Sequence, residues 1–243
     1  MSNHPLVVIP ARLASVRFPN KPLANILGEP MIVRVWRRAL AADVGPVIVA
    51  SADDEITRTI IKAGGTAIAT DPALPSGSDR VFAAALKFDP ARCYGTVINL
   101  QGDMPMFNPA YLHTVQAPLA DPAVDIATLV APLDIIESAN RGVAKVVLGL
   151  PGEASIGRAL YFSRATIPWG AASFWRHIGI YAYRRRTLAR FASLPPSPLE
   201  KCEQLEQLRA LEAGMRIDVT LVERAPVEVN VPTDIAELLR DNT

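Results

Sequence analysis

Short apolar runs alternate with segments of helical periodicity through the first hundred residues, and this alternation constrains the fold more than any other feature. Leu6-Val-Val-Ile9, Val47-Ile-Val-Ala50, Thr66 to Ala69 and Gly95 to Leu100 are each four to six residues long, the length of a buried strand. Between them, residues 30–42 place Met31, Ile32, Val35, Trp36 and Leu40 at helical spacing, and Pro30 suits a first helical turn, where its missing N–H costs nothing. Asp53 or Asp54 suits the cap of a helix running to about residue 63, which Gly64-Gly65 ends. Residues 79–86 read as the next helix. Strands and helices in this order predict an α/β fold with a largely parallel sheet. Farther on, helices are predicted at 109–119, 186–191, 199–213 and 232–240, and strands at 125–131, 144–148, 177–183 and 227–229. No repeat, low-complexity tract or linker interrupts the chain, so a single domain over residues 1–243 is expected.

Composition removes several function classes. Lys and Arg number 25 against 24 Asp and Glu, without the basic excess of a nucleic-acid binder. Two cysteines, Cys93 and Cys202, exclude a disulfide scaffold and a paired-cysteine zinc site. His4, His113 and His177 are too scattered for a His-Glu-x-x-His metal centre. No apolar run approaches the roughly 18 residues of a membrane span, and Leu6 to Ile9 is too short for a signal-peptide core. A cytoplasmic protein without membrane or nucleic-acid partners is expected.

The loop after the first strand carries the chemistry. Residues 10–23 read P-A-R-L-A-S-V-R-F-P-N-K-P-L, leaving the carboxyl end of a strand, where α/β folds place ligands. Arg12, Arg17 and Lys21 put three cations within ten residues, and Ala11, Ala14 and Ser15 leave backbone N–H groups open to close approach. That combination suits a triphosphate. Neither a Walker A loop nor a G-x-G-x-x-G fingerprint is present. The plainer reading of the same residues is a solvated basic loop.

This segment resembles P-A-R-x-x-S-[ST]-R-x-P-x-K-P-L, the signature of sugar-nucleotide cytidylyltransferases, and within them the 3-deoxy-manno-octulosonate cytidylyltransferase family. Five further blocks follow in the family's order: Ser76-Gly-Ser-Asp-Arg80, Asn99-Leu-Gln-Gly-Asp103, residues 159–168 (A-L-Y-F-S-R-A-T-I-P), Arg176-His-Ile-Gly-Ile-Tyr181, and Ser197-Pro-Leu-Glu200 with Leu205-Glu-Gln-Leu-Arg209. The resemblance covers nearly the whole chain. It implies a Rossmann-like nucleotide-diphospho-sugar transferase fold: a mixed, mostly parallel central sheet flanked by helices, with a smaller sheet or ribbon for dimerisation. It also implies a homodimer that transfers CMP from CTP to the anomeric hydroxyl of 3-deoxy-D-manno-octulosonate (Kdo), with Mg²⁺, for lipopolysaccharide synthesis.

Carried over residue by residue, the resemblance gives Arg12, Lys21 and Asp103 the catalytic positions. Ala11, Ser15, Arg17, Ser76, Gly77 and Arg80 join these three in binding nucleotide. Arg80, Gln101, Tyr161, His177, Glu206 and Gln207 fall on sugar-binding positions. Asp103 and Asn230 fall on the metal-binding positions. Some residues have a structural reading as well. Asp103 before Met-Pro-Met suits a helix cap, His177 entering a strand suits a satisfied core histidine, and Glu206 or Gln207 suits the solvent face of a helix.

The chain departs from the family pattern at several places. Residues 229–234 read V-N-V-P-T-D where the family has V-D-[TS]-P-E-D, so Asn230 replaces a metal-binding aspartate. An amide oxygen is a weaker Mg²⁺ ligand than a carboxylate, and Asp234, beyond Pro232, is not expected to substitute. The second strand ends Ala50-Ser-Ala52 where A-T-D is usual, without that carboxylate. Val16 stands for a hydroxyl residue, and Asn140 to Lys145 keeps only its ends. These changes leave two alternatives: transfer to a related acidic sugar such as amino-Kdo or a nonulosonic acid, and a non-catalytic nucleotide-binding homologue.

Overall fold

The computed structural model describes residues 4–14 and 18–240, so Ser15, Val16 and Arg17 lie outside the described residues. The chain divides into two compact units, Met1–His113 with Pro226–Thr243, and Thr114–Ala225.

The first unit contains β1 (Leu6–Ala11), a ribbon of β2 (Asn25–Ile26) and β3 (Glu29–Pro30), α1 (Met31–Leu40), β4 (Val47–Ser51), α2 (Asp54–Lys62), β5 (Thr66–Ala69), α3 (Gly77–Phe88) and β6 (Thr96–Leu100). The single-turn α4 (Tyr111–Thr114) follows. All the apolar runs named above are strands, paired in parallel in the order β5-β4-β1-β6. Leu6 to Ile9 and Val97 to Leu100 are buried on both faces, which explains why the first reads as an unbroken apolar run and the second as one interrupted only by Asn99. Helix α1 buries Met31, Ile32, Val35, Trp36 and Ala39 as its spacing predicts, whereas Leu40 at its end is exposed. In chain order the strands lie third, second, first, fourth. The direction of winding therefore reverses between β1 and β6, and this reversal opens a crevice at their carboxyl ends.

The second unit contains β7 (Ile126–Leu133), α5 (Ile135–Ser138), β8 (Lys145–Gly149), β9 (Ile156–Ser163), β10 (Phe174–Arg184), α6 (Arg185–Ser193), α7 (Pro198–Glu203), α8 (Leu208–Glu212) and β11 (Ile217–Leu221). Its sheet runs β10-β7-β11-β9-β8 and is antiparallel except for β11 beside β7. A further pair, Arg176 with Lys145, joins β8 to β10 and closes the five strands on themselves. Lys145 is fully buried there, and its ammonium donates to the carbonyls of Asn140, Val143 and Arg164 at 2.9, 2.8 and 2.6 Å. Helix α9 (Pro232–Arg240) belongs to the first unit.

Several expected elements are corrected. The helix at 109–119 is two short pieces, α4 and a 3-10 turn at Ala117–Ala120 that carries Pro118 in its first turn. The helix at 199–213 is broken into α7 and α8 by Gln204, whose φ of 54° is left-handed and ends α7. No strand forms at 227–229. Strands β9 and β11 were not anticipated.

Candidate active site

The residues after β1 and β6 converge at the winding reversal of the first unit. A cleft of about 360 Å³ is lined there by Pro10, Ala11, Arg12 and Ala14 from the basic loop, Lys21 and Pro22 from the turn beyond it, and Ile32 of α1. The remaining lining is Ser76, Gly77 and Arg80 at the start of α3, with Gln101, Gly102 and Asp103 after β6. Seven of the eight described residues assigned to nucleotide, catalysis and metal, all except Asn230, thus meet in one place. Gln101, assigned to sugar, lines the same cleft.

Charge sets the character of the cleft. Arg80 is only 2% exposed, yet among the described residues no carboxylate lies within ion-pair distance of it. Its Nη1 donates to Thr70 Oγ1 at 2.6 Å and to the Asp71 carbonyl at 3.1 Å. Burial pushes the Arg80 guanidinium below its usual pKa, the Arg12 charge pushes the same way, and Asp53 and Asp71 oppose both. Two cations facing one cleft, one of them buried, create a site for an anion, because an unpaired buried charge is costly until a ligand neutralises it.

Lys21 and Asp103 form an ion pair at 3.0 Å, three-quarters or more buried. Asp103 therefore holds a lysine rather than capping a helix. Its backbone carbonyl accepts from Val229 N at 2.9 Å, which brings the segment carrying Asn230 against the segment carrying Asp103. Asp234 is otherwise engaged: its Oδ2 accepts from the Asn230 and Val231 N–H groups at 2.6 and 2.9 Å, closing the start of α9. Among the described residues no three His, Cys, Asp or Glu side chains gather as a metal cage. Asp103 alone is a fitting ligand for Mg²⁺, which takes one or two carboxylates and fills its shell with phosphate oxygens and water.

The N-L-Q-G-D segment shows why its residues occur together. Asn99, fully buried at the end of β6, accepts from Gln101 Nε2 at 3.1 Å and donates to Ser78 Oγ at 3.4 Å. Gln101 thereby presents its oxygen as an acceptor. At Gly102 a Cβ would lie 3.3 Å from both Ile32 Cδ1 and the Pro10 carbonyl, so only glycine sits there without displacement. Ser76 caps α3 by accepting from Asp79 N at 3.2 Å.

Tyr161, His177, Glu206 and Gln207 belong to the second unit. His177 is packed edge-on against Phe162 at 5.3 Å between centroids and beside Tyr181 at 5.2 Å. Burial, with Arg176 adding to it, lowers its pKa from 6.5 to about 3. His177 Nε2 lies 3.0 Å from Thr128 Oγ1, which also reaches the Ile178 and Ile180 carbonyls at 3.1 and 2.8 Å. Tyr161 OH lies 3.5 Å from Glu203, which also accepts from Ser163 Oγ and Arg164 N. Glu206 is half-buried. Gln207 is 5% exposed and its Nε2 finds no partner among the described residues. Pro10, Pro22, Ile32 and Gly102 line the cleft without having been expected to. Pro22 and Gly102 adjoin charged residues that were named, Lys21 and Asp103, and Pro10 opens the basic loop, while nothing local in the sequence pointed to Ile32.

The comparisons with known proteins agree with this geometry. A cytidylyltransferase family profile matches residues 6–217. The 3-deoxy-manno-octulosonate cytidylyltransferase of Parvibaculum lavamentivorans is 53% identical over 236 residues, covering 97% of this chain and 91% of its own. The enzyme of the same name from Rhodopseudomonas palustris (strain BisB5) is 56% identical over 231 residues, covering 95% and 94%. The solved structure of a CMP:2-keto-3-deoxy-manno-octonic acid synthetase complexed with CTP superposes with a TM-score of 0.88 at 37% identity, covering 99% of this chain and 100% of that one.

Proposed function

The chain belongs to the 3-deoxy-manno-octulosonate cytidylyltransferase family, and on that premise we propose that it transfers CMP from CTP to the anomeric hydroxyl of Kdo, releasing pyrophosphate. The observation that carries this reading is the buried, carboxylate-free Arg80 beside Arg12 at the winding reversal of a parallel sheet. Such a site takes a polyanion, and family membership supplies its identity as CTP.

The sugar hydroxyl attacks the α-phosphorus and releases its proton to solvent, the bond from the α-phosphorus to the oxygen bridging to the β-phosphate breaks, and pyrophosphate leaves with the negative charge. Transfer of this kind depends on positioning and on neutralising charge, with little covalent work for the protein. Arg12, Arg80 and Lys21 hold the phosphate oxygens and stabilise the charge that builds on the leaving group. Lys21 is pre-placed by Asp103 and exchanges one anionic partner for another. Mg²⁺, when bound, neutralises triphosphate charge, and Asp103 with the Asn230 side-chain oxygen are the residues to hold it. Gln101 supplies an acceptor to the sugar. His177 stays neutral across the physiological range, so it serves the sugar as a hydrogen-bonding group and never as a cation.

The second unit exposes Ile135, Ile136, Leu160 and Trp169, the last without any cover, and this apolar surface supports a homodimer. Among the described residues no helix is long and apolar enough to cross a membrane, which fits the cytoplasmic supply of a nucleotide sugar for lipopolysaccharide synthesis. The test is continuous pyrophosphate release by the purified protein with Mg²⁺. Release that requires both CTP and Kdo supports the assignment. Release with CTP and only another acidic sugar transfers it to that substrate. CTP binding without release from any sugar acid leaves a binding protein.

A further inference from the structure

Asp53 occupies the N-cap position of α2, as its sequence context predicts, but its carboxylate makes no cap hydrogen bond. An aspartate at that position ordinarily stabilises its own helix by accepting from the first-turn N–H groups. Here Oδ2 reaches across 40 residues of sequence and accepts from Leu13 N at 2.8 Å. Leu13 directly follows Arg12 in the basic loop.

The surrounding bonds fix both ends of this link. Ser51 Oγ donates to the Asp53 carbonyl at 2.7 Å and accepts from Asp53 N at 3.2 Å, so the backbone around Asp53 is held to the end of β4. The Ala52 N–H donates to the Ala11 carbonyl at 3.0 Å. The Ser51 carbonyl accepts from Thr70 N and Thr70 Oγ1, both at 2.8 Å, and Thr70 Oγ1 accepts from Arg80. One connected set of bonds therefore joins the backbone beside Arg12 to the guanidinium of Arg80 through Asp53, Ser51 and Thr70.

A carboxylate so close to an anion site works against phosphate binding by charge alone, because it cancels part of the field of Arg12 and Arg80. Its contribution must come from the hydrogen bond and not from the charge. The sequence had shown Ala52 where a carboxylate is usual, and the carboxylate that reaches the loop stands one residue later.

We propose that Asp53 is a positioning residue for cytidylyl transfer: its carboxylate pins the backbone of the basic loop at Leu13 and so fixes where Arg12 enters the nucleotide cleft. This rests on the function proposed above. Ala at this position removes the acceptor and the charge, while Asn keeps an acceptor oxygen and removes only the charge, so the pair separates the two roles.

The experiment measures kcat and KM for CTP and for the sugar by pyrophosphate release in wild type, Asp53→Ala and Asp53→Asn. Hydrogen exchange at the Leu13 amide and the thermal midpoint are followed alongside. Asp53→Ala is expected to lower kcat/KM for CTP about tenfold or more, since small misplacement of a reacting group is expensive. It should leave KM for the sugar within about twofold and speed exchange at Leu13. Asp53→Asn is expected to recover kcat/KM to within about threefold of wild type and to restore Leu13 protection. Wild-type kinetics in Asp53→Ala overturn the proposal, as does an Asn variant as impaired as the Ala variant. If wild type itself releases no pyrophosphate, the functional assignment fails, and Leu13 exchange with CTP affinity still decides whether Asp53 positions the loop.

Discussion

Replacing Arg80 by methionine should weaken CTP binding while leaving the ligand-free fold as stable as before or more so. A purely structural arginine gives the opposite pattern. The side chain is 2% exposed and its Nη1 makes two bonds, to Thr70 Oγ1 and to the Asp71 carbonyl. Each charged-donor bond is worth about 1.5–3 kcal/mol. Against them stands the desolvation of an unpaired cation, an effective cost of several kcal/mol. Thr70 keeps its own bond to the Ser51 carbonyl and Asp71 is exposed to water, so neither acceptor is stranded by the change. Methionine refills the aliphatic volume of the stem. The opposing terms cancel to within about 2 kcal/mol, so the thermal midpoint without nucleotide should stay within about 6 °C of wild type or rise. With CTP the balance differs, because the lost cation faced phosphate oxygens in a desolvated cleft. A loss of about 3 kcal/mol corresponds to a Kd for CTP raised roughly 100-fold. Titration calorimetry with CTP and a melting curve without it read the two quantities separately. A midpoint lowered by more than about 10 °C with CTP affinity intact would refute the reasoning and make Arg80 a structural residue.

Three other outcomes are expected. His177 has its folded pKa lowered to about 3 from 6.5, so between those values the unfolded chain holds one more proton and stability falls with falling pH by about 1.4 kcal/mol per unit. His177→Phe should remove about 2 kcal/mol of the loss between pH 7.5 and 5 in urea titrations, and an unchanged pH slope would contradict this. Asn230→Asp should lower the Mg²⁺ concentration for half-maximal activity several-fold, since a carboxylate replaces an amide oxygen; an unchanged Mg²⁺ titration would remove Asn230 from the metal site. Trp169→Glu should shift the mass seen by light scattering from twice 26.2 kDa toward the single chain, while a wild-type protein already monomeric would remove the dimer.

What the sequence disclosed depended on whether the signal was local. The strands β1, β4 and β6 were legible because a parallel sheet covered on both faces demands mostly apolar runs, and the half-exposed edge strand β5 was legible from its place after Gly64-Gly65. Strand β11, Ile217-Asp-Val-Thr-Leu221, does carry the apolar–polar alternation of a strand, a local signal that the reading above did not use. The alternation of 227–229 suggested a strand, but no strand forms there, and Val229 N donates to the Asp103 carbonyl. The break at Gln204 needed a left-handed residue in a segment with no glycine, which composition does not reveal. In the site, the basic loop was legible from three cations without a neighbouring acid. The link from Asp53 to Leu13 was not, because the expected local role, a helix cap, satisfied every rule that sequence spacing provides. The placement of Asn99 beneath Gln101 was likewise invisible until β6 and α3 were packed together.

The central claim is cytidylyl transfer, and the fate of isotopic label tests it most directly. CTP labelled at the α-phosphate and CTP labelled at the γ-phosphate are each incubated with Kdo, Mg²⁺ and the protein, and products are separated by anion exchange. The account predicts α-label in a CMP-linked sugar acid and γ-label only in pyrophosphate, in equal amounts. Gamma-label on the sugar with CDP as co-product, or α-label remaining in CTP, would contradict it.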